Sequence, residues 1–160
     1  MSDAIQRTEQ IVQKKWVPEF KYVKNESAPF VSFTKDLSKA KGAIITTGGV
    51  FLRGQAPFQD NYGLGDPSYR ELPRHTPVKE LMHYHEHYDH TAANQDINVI
   101  YPIERMETLV QQGTIGDLAD VNYSFMGYQP ISHPLQTRTA PEVAQKLVLQ
   151  QVDFALLVPV

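Results

Sequence analysis

The sequence predicts an α/β fold: one domain built on a mostly parallel sheet flanked by helices. Three observations predict it. Residues 141–150 form a helical stretch with Val143 and Leu147 on one face, and it runs directly into the apolar segment Val152–Val160. Helix followed at once by strand is the unit of a parallel sheet. Residues 42–47, Gly-Ala-Ile-Ile-Thr-Thr, form a compact apolar run that opens into Gly48-Gly49, as a buried strand opens into a loop at its carboxyl end. Residues 102–113 start with proline, carry apolar side chains at 103, 106, 109 and 110, and stop at glycine, the asymmetry of a helix.

The remaining elements follow in order. Residues 2–16 read as a helix with Ile5, Ile11 and Val12 near one face, ended by Pro18. Residues 19–33 mix aromatics with Pro29 and read as an extended arm, suited to packing on the domain or on a partner subunit. The expected division is therefore 1–35, helix and arm, and 36–160, α/β domain. Residues 55–77, rich in Gly, Pro, Asp and aromatics, read as a long surface excursion carrying Asp66 and Arg70. Residues 78–82 suit a short strand or a helical turn. Residues 98–102 read as another apolar strand, and residues 123–128 as a strand ending in a glycine loop. The last segment, Val152–Val160, reads as a second buried strand.

Composition excludes several classes. Hydrophobic residues are 41% and charged residues 21% of 160, a globular mixture. The net charge is −3, with no basic run interleaved with aromatics, so no nucleic-acid partner is expected. No apolar stretch approaches 18 residues, and the N-terminus lacks the apolar core of a secretory signal. The expectation is a cytoplasmic protein without a membrane span. With no cysteine among the 160 residues, disulfides, thiolate ligands and thiol nucleophiles are excluded within them.

The polar chemistry concentrates in residues 83–96. Four of the six histidines, His83, His85, His87 and His90, fall within eight residues there. His85-x-His87-x-Asp89-His90 has the spacing of the first ligand cluster of metallo-β-lactamase-fold hydrolases, and imidazole with carboxylate suits zinc or iron. Those hydrolases need further His and Asp ligands downstream, and only His133 follows. The residues therefore leave two readings open: a metal site at His85, His87 and His90, or a loop in which His and Asp pair with each other and with backbone. At the carboxyl end of the first strand, Thr46, Thr47, Gly48 and Gly49 are candidate site-lining residues; a capped tight turn is the alternative.

A longer series of words resembles the selenoprotein B family, the B subunits of glycine, sarcosine and betaine reductases and the D-proline reductase selenoprotein subunit. The series is Ile44–Arg53, Gly65–Pro73, His85-x-His87-x-Asp89-His90-Thr91, Asp96–Arg105, Gly113–Gly116 and Tyr123–Gly127, in family order. The resemblance implies reductive cleavage of a C–N bond in an amino acid or betaine, with electrons from a dithiol system and a substrate held on a partner reductase subunit. It implies a crevice shared by Thr46–Gly49, the histidine segment, Met126 and Gly127. There His85, His87, Asp89 and His90 would bind a metal or serve as acid/base groups for the departing amine. Arg70 would hold a substrate carboxylate or, with Asp66, fix its own loop; Asp96 and Asn98 read as loop structure.

In the family the last strand runs into a selenocysteine or cysteine motif, so selenocysteine is expected just after Val160. Either a selenocysteine codon has been read as stop, which is the favoured reading, or the chain is a half lacking the redox centre. In both cases it is expected to be inactive alone. A homo-oligomer is compatible with the aromatic arm and an incomplete sheet. The competing function classes are a metal-dependent hydrolase using the histidine cluster and a non-catalytic partner module.

Overall fold

A computed structural model describes residues 3–15, 17–22, 24, 27, 31–84 and 88–160. The chain divides into two units, Met1–Thr34 and Lys35–Val160. In the first, helix α1 spans Asp3–Lys15, and none of its residues is buried. The chain turns back along it: Gln13 Nε2 donates to the Phe20 carbonyl at 2.7 Å, and Glu9 accepts from the Tyr22 amide at 3.1 Å.

The second unit is built around strand β1 (Lys41–Thr46). Its lead-in is a 3-10 turn, Leu37–Lys39, capped by the Asp36 carboxylate on the Ser38 amide. Strands β2 (Val50–Leu52) and β4 (Leu81–His83) form a small antiparallel pair. The main sheet adds β3 (Tyr69–Pro73), β5 (Asp117–Leu118), β6 (Val121–Phe125) and β7 (Phe154–Val158). β5 and β6 lie parallel to β1 and β7 pairs with β1 in parallel, while β3 runs antiparallel to β6. The sheet is thus mostly parallel with helices, as the sequence predicts.

One core cluster gathers Ile44, Leu72, Ile97, Ile100, Tyr101, Ile103, Met106 and Leu118. It includes the inner face of helix α3 (Ile103–Gln111). The second face of the sheet buries Tyr123 and Phe125 under Val143 of helix α4 (Ala140–Leu149). Burial of each large aliphatic side chain contributes about 1.5–3 kcal/mol. Gly42 belongs here for lack of room: a Cβ would sit 2.6 Å from the Phe154 ring.

Buried polar groups pin the strands. Asn122 Oδ1 accepts from the Ile44 amide and Ser124 Oγ from the Val50 amide, each at 2.8 Å. Arg74 donates two hydrogen bonds to Glu107, at 2.7 and 2.9 Å, and one to Asp117 at 2.6 Å, tying the end of β3 to α3 and β5.

The structure departs from the sequence reading at four places. The excursion 55–77 contains β3, whose Leu72 is fully buried and whose partner strand lies some fifty residues downstream. Residues 98–102 form no strand. Asp96 captures the Asn98 amide and starts a 3-10 turn at Ile97–Val99, while Asn98 Oδ1 accepts from the Glu104 amide. A side-chain network has taken over backbone groups that a ladder would have used. A π-helical turn, Leu135–Thr139, precedes α4. Strand β7, read as buried, is an edge strand with Ala155, Leu156 and Leu157 exposed.

Candidate functional site

The carboxyl end of β1 determines the geometry. Thr46 is buried; its hydroxyl donates to the Ile100 carbonyl and accepts from the Gly48 amide. That forces a turn in which Gly49 has φ of 65°, a left-handed conformation that favours glycine. At Gly48 a Cβ would lie 3.0 Å from Ile100 Cβ. The turn is stitched on both sides: the Gly49 amide donates to the Phe125 carbonyl, and the Tyr84 amide donates to the Gly49 carbonyl, each at 3.0 Å. The Thr47 amide donates to the Val158 carbonyl at 3.0 Å. Thr46–Gly49 and the end of β7 are therefore neighbours.

A cavity of about 450 Å³ opens beside this turn, lined by Thr47, Phe125, Met126, Gly127, Leu147 and Leu157 among others. That volume lies within the range of small-molecule sites, about 300–1,000 Å³. None of its lining residues carries a charge; its polar groups are the Thr47 hydroxyl and the Gln129 amide. It is bounded by the carboxyl ends of β1 and β6, the region where open α/β sheets hold ligands, and on its other side by Ala140, Val143 and Ala144 of α4.

The histidine segment lies on the other side of the turn. His85 and His87 fall outside the described residues. The short helix α2 (Thr91–Gln95) brings Asn94 to β4, and His83 Nε2 donates to Asn94 Oδ1 at 3.0 Å. That bond makes Nδ1 the acceptor, and the Tyr88 hydroxyl meets it at 3.0 Å. The same hydroxyl lies 3.3 Å from the Gly48 carbonyl, and the Tyr88 ring stacks on His90 at 4.4 Å. Burial pulls the His83 imidazole below its ordinary pKa, opposed by the Asn94 bond, and burial pushes the Tyr88 hydroxyl up. Asp89 accepts from both the hydroxyl and the amide of Thr91, which hold its carboxyl below the usual range.

His83 and Asn94 line a separate cavity of about 390 Å³ with Arg53 and Gln95. The described part of the histidine segment thus touches the glycine turn without lining the apolar cavity. Among the described residues, no group of three or more His, Asp or Glu is placed to hold a metal ion.

Arg70 is committed to its own loop. It donates to the Ala56 carbonyl at 2.8 Å and to Ser68 Oγ at 2.7 Å, lies 3.6 Å from Asp66, and stacks 4.3 Å over the Phe58 ring. Tyr88 and Asn94 were not singled out from sequence, and His83 was named there only as one of the clustered histidines. All three lie in the segment that was singled out, but only the packing of α2 against β4 pairs them.

The family model for glycine/sarcosine/betaine reductase selenoprotein B matches residues 6–159. The chain belongs to this family. Among its members, the D-proline reductase subunit gamma of Acetoanaerobium sticklandii is 36% identical over 124 residues, covering 78% of this chain and 50% of that protein. The glycine reductase complex component B subunit gamma of Symbiobacterium thermophilum is 33% identical over 131 residues, 77% of this chain and 29% of that one. The betaine reductase complex component B subunit beta of Peptoclostridium acidaminophilum is 29% identical over 139 residues, 84% of this chain and 31% of that one. The chain spans about half the length of the first of these family members and under a third of the other two. No solved structure matches it. No described helix is long and apolar enough to cross a membrane.

Proposed function

We propose that the chain is a subunit of a selenoprotein B-type reductase that cleaves a C–N bond of a small amino acid or betaine. The observation that carries this reading is the family match over nearly the whole chain, joined to a ligand-sized cavity at the carboxyl ends of β1 and β6. Family members are named as subunits of multi-component reductases for D-proline, glycine and betaine, which supports a partner subunit here. The hydrolase reading loses ground to the family match.

Reductive cleavage consumes two electrons and two protons: the C–N bond is replaced by C–H and N–H, and a dithiol becomes a disulfide. The chemistry needs a selenol or thiolate nucleophile. The 160 residues hold no cysteine, so in this proposal that nucleophile reaches the cavity from outside them. The chain's own part is to shape the cavity wall with Thr47, Met126 and Gly127. In this proposal the histidine segment meets the departing amine from the other side of the glycine turn, with His85, His87 and His90 as the proton donors and Asp89, whose carboxyl is held below the usual range, as an acceptor.

The test is an assay of the pure chain with dithiothreitol and D-proline, glycine, sarcosine or betaine, alone and with a purified cysteine- or selenocysteine-bearing subunit of a related reductase. The expected result is no turnover alone and turnover with the subunit. Turnover by the chain alone overturns the proposal.

A further inference from the structure

Strand β7 and helix α4 present an apolar surface that nothing among the described residues covers. Parallel strands are ordinarily buried on both faces. Here Leu157, facing α4, is 67% exposed, and Leu156 is exposed on the opposite face. The last turn of α4 holds Val148 at 74% and Leu149 at 83% exposure. A hollow lined by Ala144, Gln145, Val148 and Leu149 shares Ala144 with the cavity that Leu157 lines.

The backbone edge is open as well. Val158 turns its carbonyl to the Thr47 amide. The alternation of a parallel ladder then directs the N–H and C=O of Ala155 and Leu157 away from β1. Exposed edges are normally guarded by a charge, a proline or a bulge within the strand, and Phe154–Val158 has none. The nearest charge, Asp153, is turned inward to Lys35 and the Lys41 amide.

We propose that this surface receives a strand–helix segment, the strand adding to the β7 edge and an apolar helix face covering Leu157, Val148 and Leu149. The occupant is the kind of chain that family members carry outside the matched region. The match covers only 50% of the D-proline reductase subunit gamma and less of the others, so those proteins hold at least as much chain again. Strand addition derives affinity from main-chain hydrogen bonds and specificity from alternate side chains, and the β7 edge offers both. The identity of the occupant rests on the reductase-subunit reading; the surface does not.

The experiment is co-expression of the chain with the segment of the Acetoanaerobium sticklandii subunit gamma that lies outside the 124 matched residues. Sedimentation and hydrogen exchange are the readouts. The expected result is a 1:1 complex in which the Ala155 and Leu157 amides, fast-exchanging in the chain alone, become protected. Leu157→Asp with Val148→Asp should weaken association at least about tenfold, with the circular dichroism spectrum unchanged because both side chains are exposed. Val99→Asp, an exposed site elsewhere, should leave association intact. Absence of a complex overturns the proposal, as does a homodimer of the chain alone with both amides already protected. Because binding is read without turnover, an inactive but protected complex counts against the reductase reading only.

Discussion

The Val160 amide donates to the Thr47 hydroxyl at 2.9 Å. This bond ties the chain beyond β7 to the turn that leaves β1, on the rim of the apolar cavity.

Thr47→Val keeps the shape and removes the acceptor. The Val160 amide should then exchange faster, and stability should fall by no more than about 1 kcal/mol, since the bond is exposed to water. Unchanged exchange at Val160 would show that the tie does not persist in solution.

Tyr88→Phe should release Nδ1 of His83 from its hydroxyl partner while Asn94 keeps the proton on Nε2. Nitrogen-15 spectra of the imidazole should show the Nδ1 resonance moving and the tautomer unchanged. A switch of tautomer would mean that Tyr88, and not Asn94, sets the proton's position.

The Arg74 side chain holds Glu107 below the ordinary carboxylate pKa of 4.5. A carboxyl depressed by folding contributes stability that is fully present above its unfolded pKa and is lost as pH falls through the folded value. Denaturant titrations should therefore show stability falling below about pH 4.5, and Glu107→Gln should flatten that part of the profile. At neutral pH the substitution should cost about 1–2 kcal/mol, for loss of a charge-assisted pair. An identical acid profile in the variant would dismiss the pair as a source of stability.

Gly65→Ala should destabilise the excursion. Gly65 has φ of 76°, and a Cβ would stand 2.5 Å from the Tyr128 carbonyl oxygen, a backbone atom with little freedom to yield. A loss of about 1–3 kcal/mol, with faster exchange over residues 126–129, is expected. A wild-type melting curve would show that the contact is not made.

Elements with local signals were legible in the sequence. Helix α3 announces itself through Pro102, its apolar spacing and Gly113, and β1 through its apolar run into Gly48. β3 was hidden because its strand character depends on Leu72 meeting β6, a contact no local pattern encodes. Asn98–Pro102 misled because its apolar residues suit a strand, while Asp96 and Asn98 recruit the backbone into a turn. In the site, the glycine turn followed from strand-end logic, and its neighbours Met126 and Gly127 from the family resemblance. The His83–Tyr88–Asn94 contacts did not, because α2 must first fold against β4.

The central position of β1 has a consequence for the protein's synthesis. The Lys41 amide bonds Asp153, 112 residues downstream, and the Ile44 amide bonds Asn122, 78 residues downstream. At roughly 5–20 residues per second, Ile44 is made on the order of 4–16 seconds before Asn122, and β7 comes later still. Until then β1 lacks its partner on either edge, so the strand that organises the finished sheet is the first to be made and the last to be fully paired.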